Sequence, residues 1–210
     1  MADLMTEVGL FQAWADACLP AGRYGEWECD YNSWPLLHSA VLEFIASRRF
    51  ESWSEAEIRA VLYAIARDNE IQYLAREIRE RNPELLEPLA RAALRMGEQG
   101  DRWQLAHELG WLGEVSEPLL REMVRDEHEY VRRQALRSLL RVGSPAVEEN
   151  ALAAWNRSDE NQEWSRMMAL YCLHKVDSPQ LEPLLAEAER EGPQYLREYA
   201  GKIRRGESID

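Results

Sequence analysis

The sequence predicts an all-α chain: a right-handed α-solenoid of about five stacked antiparallel helix pairs behind an N-terminal helical cap. Three observations predict it. An aromatic residue is followed fifteen positions later by proline four times, as Tyr73/Pro88, Trp103/Pro118, Tyr130/Pro145 and Trp164/Pro179, and Tyr195 continues the series. Successive aromatics lie 30, 27, 34 and 31 residues apart, one helix pair per step. Between aromatic and proline, three copies share an apolar pattern at six, nine and twelve positions after the aromatic, which is a stripe along a helix.

The elements follow in order. Helices near 3–17 and 35–48 form the cap, so the expected division is 1–53 for the cap with its aromatic, acidic loop and 54–210 for the repeat array. Ser54 with Glu57 is a capping-box candidate at the start of the array, and Asp101 with Gln104 is another. The copy around Tyr73 is the weakest, because Pro83 breaks it and Arg79 falls on a stripe position. In the other three, Leu109, Leu112 and Val115 correspond to Leu136, Leu139 and Val142, then to Leu170, Leu173 and Val176. A second helix follows each proline, carried by Leu120, Met123 and Val124, by Val147, Ala151 and Trp155, and by Leu181, Leu184, Leu185 and Ala188. Ser144-Pro145 and Ser178-Pro179 place a hydroxyl before a proline at the first helical position. Gly143 and Gly192-Pro193 mark stops. Five helix pairs then cover about 54–204, with no sustained strand alternation.

Composition narrows the function classes. The chain has 210 residues with 38 acidic and 25 basic side chains, a formal net charge of -13. The excess is even, at -4, -3, -3 and -3 over 1–50, 51–100, 101–150 and 151–210. A nucleic-acid partner needs clustered Lys and Arg, and that footprint is missing. An acidic field favours a basic protein partner, or serves solubility alone. Cys18, Cys29 and Cys172 form no disulfide framework and suit a reducing compartment. The most apolar stretch, Pro35 to Ala46, is interrupted by His38 and Glu43 and is too short for a bilayer. No signal-peptide pattern opens the chain, so the expectation is a cytoplasmic protein with no membrane association.

The segment Pro118-Leu119-Leu120 through Asp126, Val131-Arg132, Ala135-Leu136 and Leu139 to Gly143 resembles a HEAT repeat, closest to the short bacterial kind also found in phycobilin lyases. The resemblance is strong over about 101–178. The family carries an acid at the turn between its helices and an Arg early in the second, as in Asp126/Arg132, Glu160/Arg166 and Glu191/Arg197. The resemblance implies that these are structural, tying neighbouring repeats, and that the second helix of each pair lines a concave side.

No catalytic or metal-binding signature emerges, and no cofactor is implied. His38, His107, His128 and His174 share no metal-ligand spacing. Asp126-Glu127-His128-Glu129 reads as a solvated turn. Cys29 and His38 could meet in the N-terminal loop, though an incidental cysteine explains them as well. Phosphate-loop, dinucleotide, hydrolase-elbow and zincin motifs are absent from the sequence.

Two constellations are candidates for binding a protein. Trp103, His107 and Trp111 advance by four on the face opposite Leu105, Leu109 and Leu112. Tyr130, Gln134, Arg137 and Arg141 occupy the equivalent face of the next such helix, and Trp164, Met168, Tyr171 and Lys175 that of the one after. Stacked, these faces form either a binding stripe of hot-spot residue types or a second packing surface between repeats. The loop Arg23 to Trp34 sets Tyr24, Trp27, Tyr31 and Trp34 among Glu26, Glu28 and Asp30, which suits recognition of a basic surface or capping of the first repeat. The function expected is a non-catalytic, protein-binding adaptor or inhibitor. HEAT-like repeats also occur among toxin immunity proteins, and the resemblance carries an enzymatic alternative, of the bilin-lyase or DNA-alkylation-repair glycosylase type.

Overall fold

Helix-forming runs bounded by caps, glycines and prolines occupy nearly all of the chain. The computed structural model describes residues 3–18, 27–158 and 162–209. Among these residues there are twelve α-helices and no strand: α1 (Leu4–Ala17), α2 (Trp34–Ser47), α3 (Glu55–Arg67), α4 (Tyr73–Arg81), α5 (Leu86–Met96), α6 (Gln99–Leu109), α7 (Glu117–Met123), α8 (Glu129–Arg141), α9 (Val147–Asn156), α10 (Gln162–Lys175), α11 (Leu181–Glu191) and α12 (Gln194–Arg204). The ten from α3 onward are the number that five pairs require. None of the described helices is long and apolar enough to cross a membrane. The chain divides into two compact units, Met1–Glu108 and Leu109–Asp210.

In the first unit α1 packs on both α2 and α3, while α2 meets α4 and α3 meets α5. The Ser54/Glu57 capping box is formed, each partner satisfying the other's backbone N–H. The hydrogen bonds of Glu57 to Ser54 hold its carboxyl below the usual carboxylate range. The Asp101/Gln104 expectation is corrected. Helix α6 begins earlier, and Asp101 accepts from the backbone N–H of Glu98 at 2.7 Å, so it acts as the third helical residue after a cap at Glu98. Gln104 instead donates to the Ile65 carbonyl at 2.6 Å from a fully buried position. Arg79, the misfit on the stripe, finds the buried carboxylate of Glu108 at 3.2 Å.

In the second unit α10 packs between α8 and α12 in one layer, and α7, α9 and α11 pair with α8, α10 and α12 respectively. The core is apolar and tight: Leu119, Leu120, Met123, Val131, Leu136, Leu139, Val147, Ala151, Trp155, Leu170 and Leu173 are all buried. Gly110 meets α8 so closely that an added Cβ would lie 2.6 Å from Ser138 Oγ. Helix α8 stops as expected at Gly143, which takes φ +72° while Ser144 N–H donates to the Leu139 carbonyl. Asp177 takes the same left-handed turn after α10, at φ 51°.

Three further details depart from the sequence pattern. The third stripe position is not core: Val115 and Val176 are exposed and Val142 is half-buried. Helices α6, α8 and α10 end before reaching it, so the helical period no longer carries it to the buried side. Ser144 and Ser178 do not cap a helix that starts at the proline, because α9 and α11 begin two residues later. Each hydroxyl accepts from a turn N–H, of Ala146 or Gln180 at 3.1 Å, and donates 2.6 Å to an acid of the preceding pair, Glu117 or Glu148. The acid–arginine pairs also act locally. Arg132 ties the carbonyls of its own turn, Asp126 and Glu127, at 2.8 and 2.7 Å. Arg166 donates to the Trp155 carbonyl at 3.1 Å with its guanidinium over the Trp155 ring. Glu160 lies outside the described residues, and Glu191 pairs with its neighbour Arg190. Acids that open helices tie neighbouring pairs: Glu129 accepts from Ser165 Oγ at 3.2 Å, and Glu163 from the Leu196 N–H at 3.0 Å.

Candidate protein-interaction surface

Helices α8, α10 and α12 each begin with an acid or amide just before an aromatic residue, Tyr130, Trp164 or Tyr195. Because these helices lie side by side, the aromatics of successive repeats come together. The guanidinium of Arg133 stands 4.7 Å from the Tyr130 ring centroid and 5.7 Å from that of Trp164. Trp164 in turn stacks on Tyr195, with centroids 6.1 Å apart and planes 20° from parallel. The result is a ladder, Tyr130–Arg133–Trp164–Tyr195, across three helix pairs. Its last two rungs are open to solvent: Trp164 is 42% exposed and Tyr195 57%. Glu129 bridges to Arg133 at 3.0 Å and holds its guanidinium in place between the rings.

A second exposed pair lies in the same unit. Trp111, 55% exposed, carries the Arg141 guanidinium 4.0 Å over its ring. Cation–π contacts of this exposed kind contribute ~0.5–1 kcal/mol each. On α10, Lys175 lies 5.3 Å from the Tyr171 ring centroid one turn away. Met168 is half-buried beside Arg133 and faces a cavity with it.

The expected face of α6 does not survive as a surface. Trp103 is only 8% exposed, His107 is half-buried with Nδ1 3.1 Å from Glu108 Oε1, and α6 is buried almost all round. Trp111 lies beyond the end of α6, so its exposure belongs to the turn that follows. Arg137 is exposed on α8, and the arginine that meets these rings is Arg133, one turn after Tyr130. Sequence reasoning missed Arg133 and Tyr195 as members of the face. The i,i+3 spacing of Tyr130 and Arg133 was the available signal.

The N-terminal aromatics point inward. Trp27 stacks on Trp14, with centroids 5.4 Å apart and planes 13° from parallel. Tyr31 is buried against Phe11, with the phenol pushed up from its usual range by burial and by Glu7. Trp34 donates its indole N–H to the Glu28 carbonyl at 2.8 Å and packs on Phe11 and His38. Trp27, Tyr31 and Trp34 therefore line a cluster inside the first unit, the arrangement a terminal cap requires. Arg23, Tyr24 and Glu26 lie outside the described residues. Cys29 and His38 border one small cavity, and His38 Nε2 lies 3.5 Å from Asp68 Oδ1. The described residues hold no group of three His, Cys, Asp or Glu placed to bind a metal ion.

The helix pair, the aromatic that opens each of α8, α10 and α12, and the Ser–Glu ties recur from pair to pair in the second unit. Residues 116–202 match the family model for HEAT repeats. The HEAT match spans α7 to nearly the end of α12, so the whole aromatic ladder lies inside it. It begins later than the sequence resemblance and extends further toward the C-terminus, taking in Tyr195. No curated protein matches the chain. Within the second unit, residues 116–202 are thus similar to HEAT repeats, a helical scaffold often used to bind proteins.

Proposed function

We propose that the chain is a non-catalytic protein-binding module, an adaptor or inhibitor that holds its partner on the aromatic–arginine face of α8, α10 and α12. The observation that carries this reading is the exposed ladder Tyr130–Arg133–Trp164–Tyr195. Trp, Tyr and Arg are the residue types that dominate binding hot spots, and large aromatics left partly in water gain most from being covered. Arg133 held between rings is pre-ordered, which lowers the entropy lost on binding. Binding without catalysis fits the one cysteine of the HEAT-matching segment: Cys172 is buried, and burial pushes its thiol up to about 12. No thiolate nucleophile is available there. The acidic field steers basic surfaces toward the molecule and repels nucleic acid. An inhibitor of the toxin-immunity kind is the form of this function a small acidic HEAT-type chain suits.

The test is affinity purification with the tagged chain, followed by measurement of partner binding to wild type and to Trp164→Ala/Tyr195→Ala. Losing a hot-spot aromatic should weaken binding by ~2 kcal/mol, about 30-fold. Failure of wild type to retain any protein specifically, or undiminished affinity of the double variant, would refute the assignment.

A further inference from the structure

A cavity of about 330 Å³ opens between α7, α8, α9 and α10, within the second unit. Among the described residues four arginines line it, Arg125, Arg132, Arg133 and Arg157, against a single acid, Glu149. This is a concentrated positive site in a chain whose net charge is -13. Two of the four are already engaged: Arg132 holds the Asp126 and Glu127 carbonyls, and Arg133 pairs with Glu129. Arg125 donates to the Arg121 carbonyl on its own helix. Among the described residues neither Arg125 nor Arg157 has a carboxylate partner. The rest of the wall is mainly apolar, from Val124, Leu136, Ala153, Ala154 and Met168, with Asn150 and Ser165 as its polar members.

We infer that this cavity seats an acidic side chain of the partner protein, carried next to an apolar residue. The inference rests on the protein-binding reading and adds the chemistry of the anchor. Guanidinium groups bind carboxylates through paired, charge-assisted hydrogen bonds, and Arg125 and Arg157 have that capacity unspent. The apolar wall covers the flanking side chain, and ~300 Å³ is the lower end of the volume that binding pockets offer. A nucleic acid is the disfavoured occupant. It would bring many phosphates against the acidic remainder of the surface, whereas one carboxylate on a short segment meets only the pocket. The cavity adjoins the aromatic ladder through Arg133, which borders the cavity and contacts the Tyr130 and Trp164 rings. A single partner segment would therefore reach both. The partner has a basic or neutral surface drawn in by the overall field, with one acidic residue as its anchor.

The test uses the whole chain, labelled with nitrogen-15, and follows the arginine side-chain Nε–H signals during titration. The probes are acetyl-Leu-Glu-Leu-amide, its Gln isostere, inorganic phosphate and a single-stranded DNA dodecamer. The Glu peptide should shift the Arg125 and Arg157 signals saturably. Both the Gln isostere and an Arg125→Gln/Arg157→Gln variant should weaken that binding at least ~10-fold. Binding of phosphate or DNA with none of the Glu peptide would overturn the inference, as would no response to any probe, or peptide binding indifferent to the double variant. If the double variant retains the purified partner as well as wild type does, the anchor assignment falls and the protein-binding reading stands. If wild type retains no partner, that reading falls, and the peptide titration still decides the cavity.

Discussion

Trp103 and Trp111 lie eight residues apart, yet truncating them should have different consequences. Trp103 is 8% exposed and sits on a helix buried almost all round. Replacing a buried Trp by Ala removes its transfer energy and leaves a cavity, together ~3–5 kcal/mol. Trp111 is 55% exposed, so 45% of it is covered. A Trp side chain presents up to ~250 Å² for burial, so the covered share is ~110 Å², or ~2.8 kcal/mol at ~25 cal/mol/Å². That figure is an upper bound, because the unfolded chain already hides ~10–40% of such area, leaving ~2 kcal/mol. Urea denaturation of the two Ala variants should therefore separate them by ~1–3 kcal/mol, with Trp103→Ala the worse. Partner affinity should order them the other way among folded molecules, with Trp111→Ala weakening binding by ~2 kcal/mol if its ring and Arg141 join the bound surface. Equal losses of stability would refute the argument from burial. A larger loss at Trp111 would show that its ring is structural and remove it from the proposed face.

Two further outcomes test the packing. Ser178→Ala removes the 2.6 Å bond to Glu148 and the acceptor for the Gln180 N–H, and should cost ~1–3 kcal/mol in thermal or urea unfolding; a loss below ~0.5 kcal/mol would mean that these ties between pairs add nothing net. Cys172 has its pKa raised from 9.0 to about 12 by burial, with Arg137 pulling the other way. Its contribution is thus fully present below the unfolded value and lost as pH rises through the window from 9.0 to about 12. Cys172→Ala should flatten the alkaline fall in stability, and iodoacetamide at pH 8 should modify the exposed Cys29 long before Cys172; equal labelling rates in the folded protein would contradict the burial.

The repeat, the helical class and most of the core were determined by local sequence. Aromatic-to-proline spacing and, apart from Leu112, which lies past α6 and is half-buried, the first two stripe positions act through the helical period and through neighbours three or four residues away, so they are legible without the fold. The Ser54/Glu57 box and the stop at Gly143 formed for the same reason. What the tertiary structure alone decided is which side of each aromatic-bearing helix meets water. Trp103 and Trp164 occupy equivalent places in their repeats, yet one is buried and the other exposed. The difference lies in what packs against each helix, which no local pattern encodes. Arg79 on a core stripe meets the buried carboxylate of Glu108, 29 residues later in sequence, at 3.2 Å, a partner that local sequence does not reveal. The same holds for the arginine-lined cavity. Arg125, Arg132, Arg133 and Arg157 are scattered through an evenly acidic chain, and they gather into one positive site only when four helices converge around it.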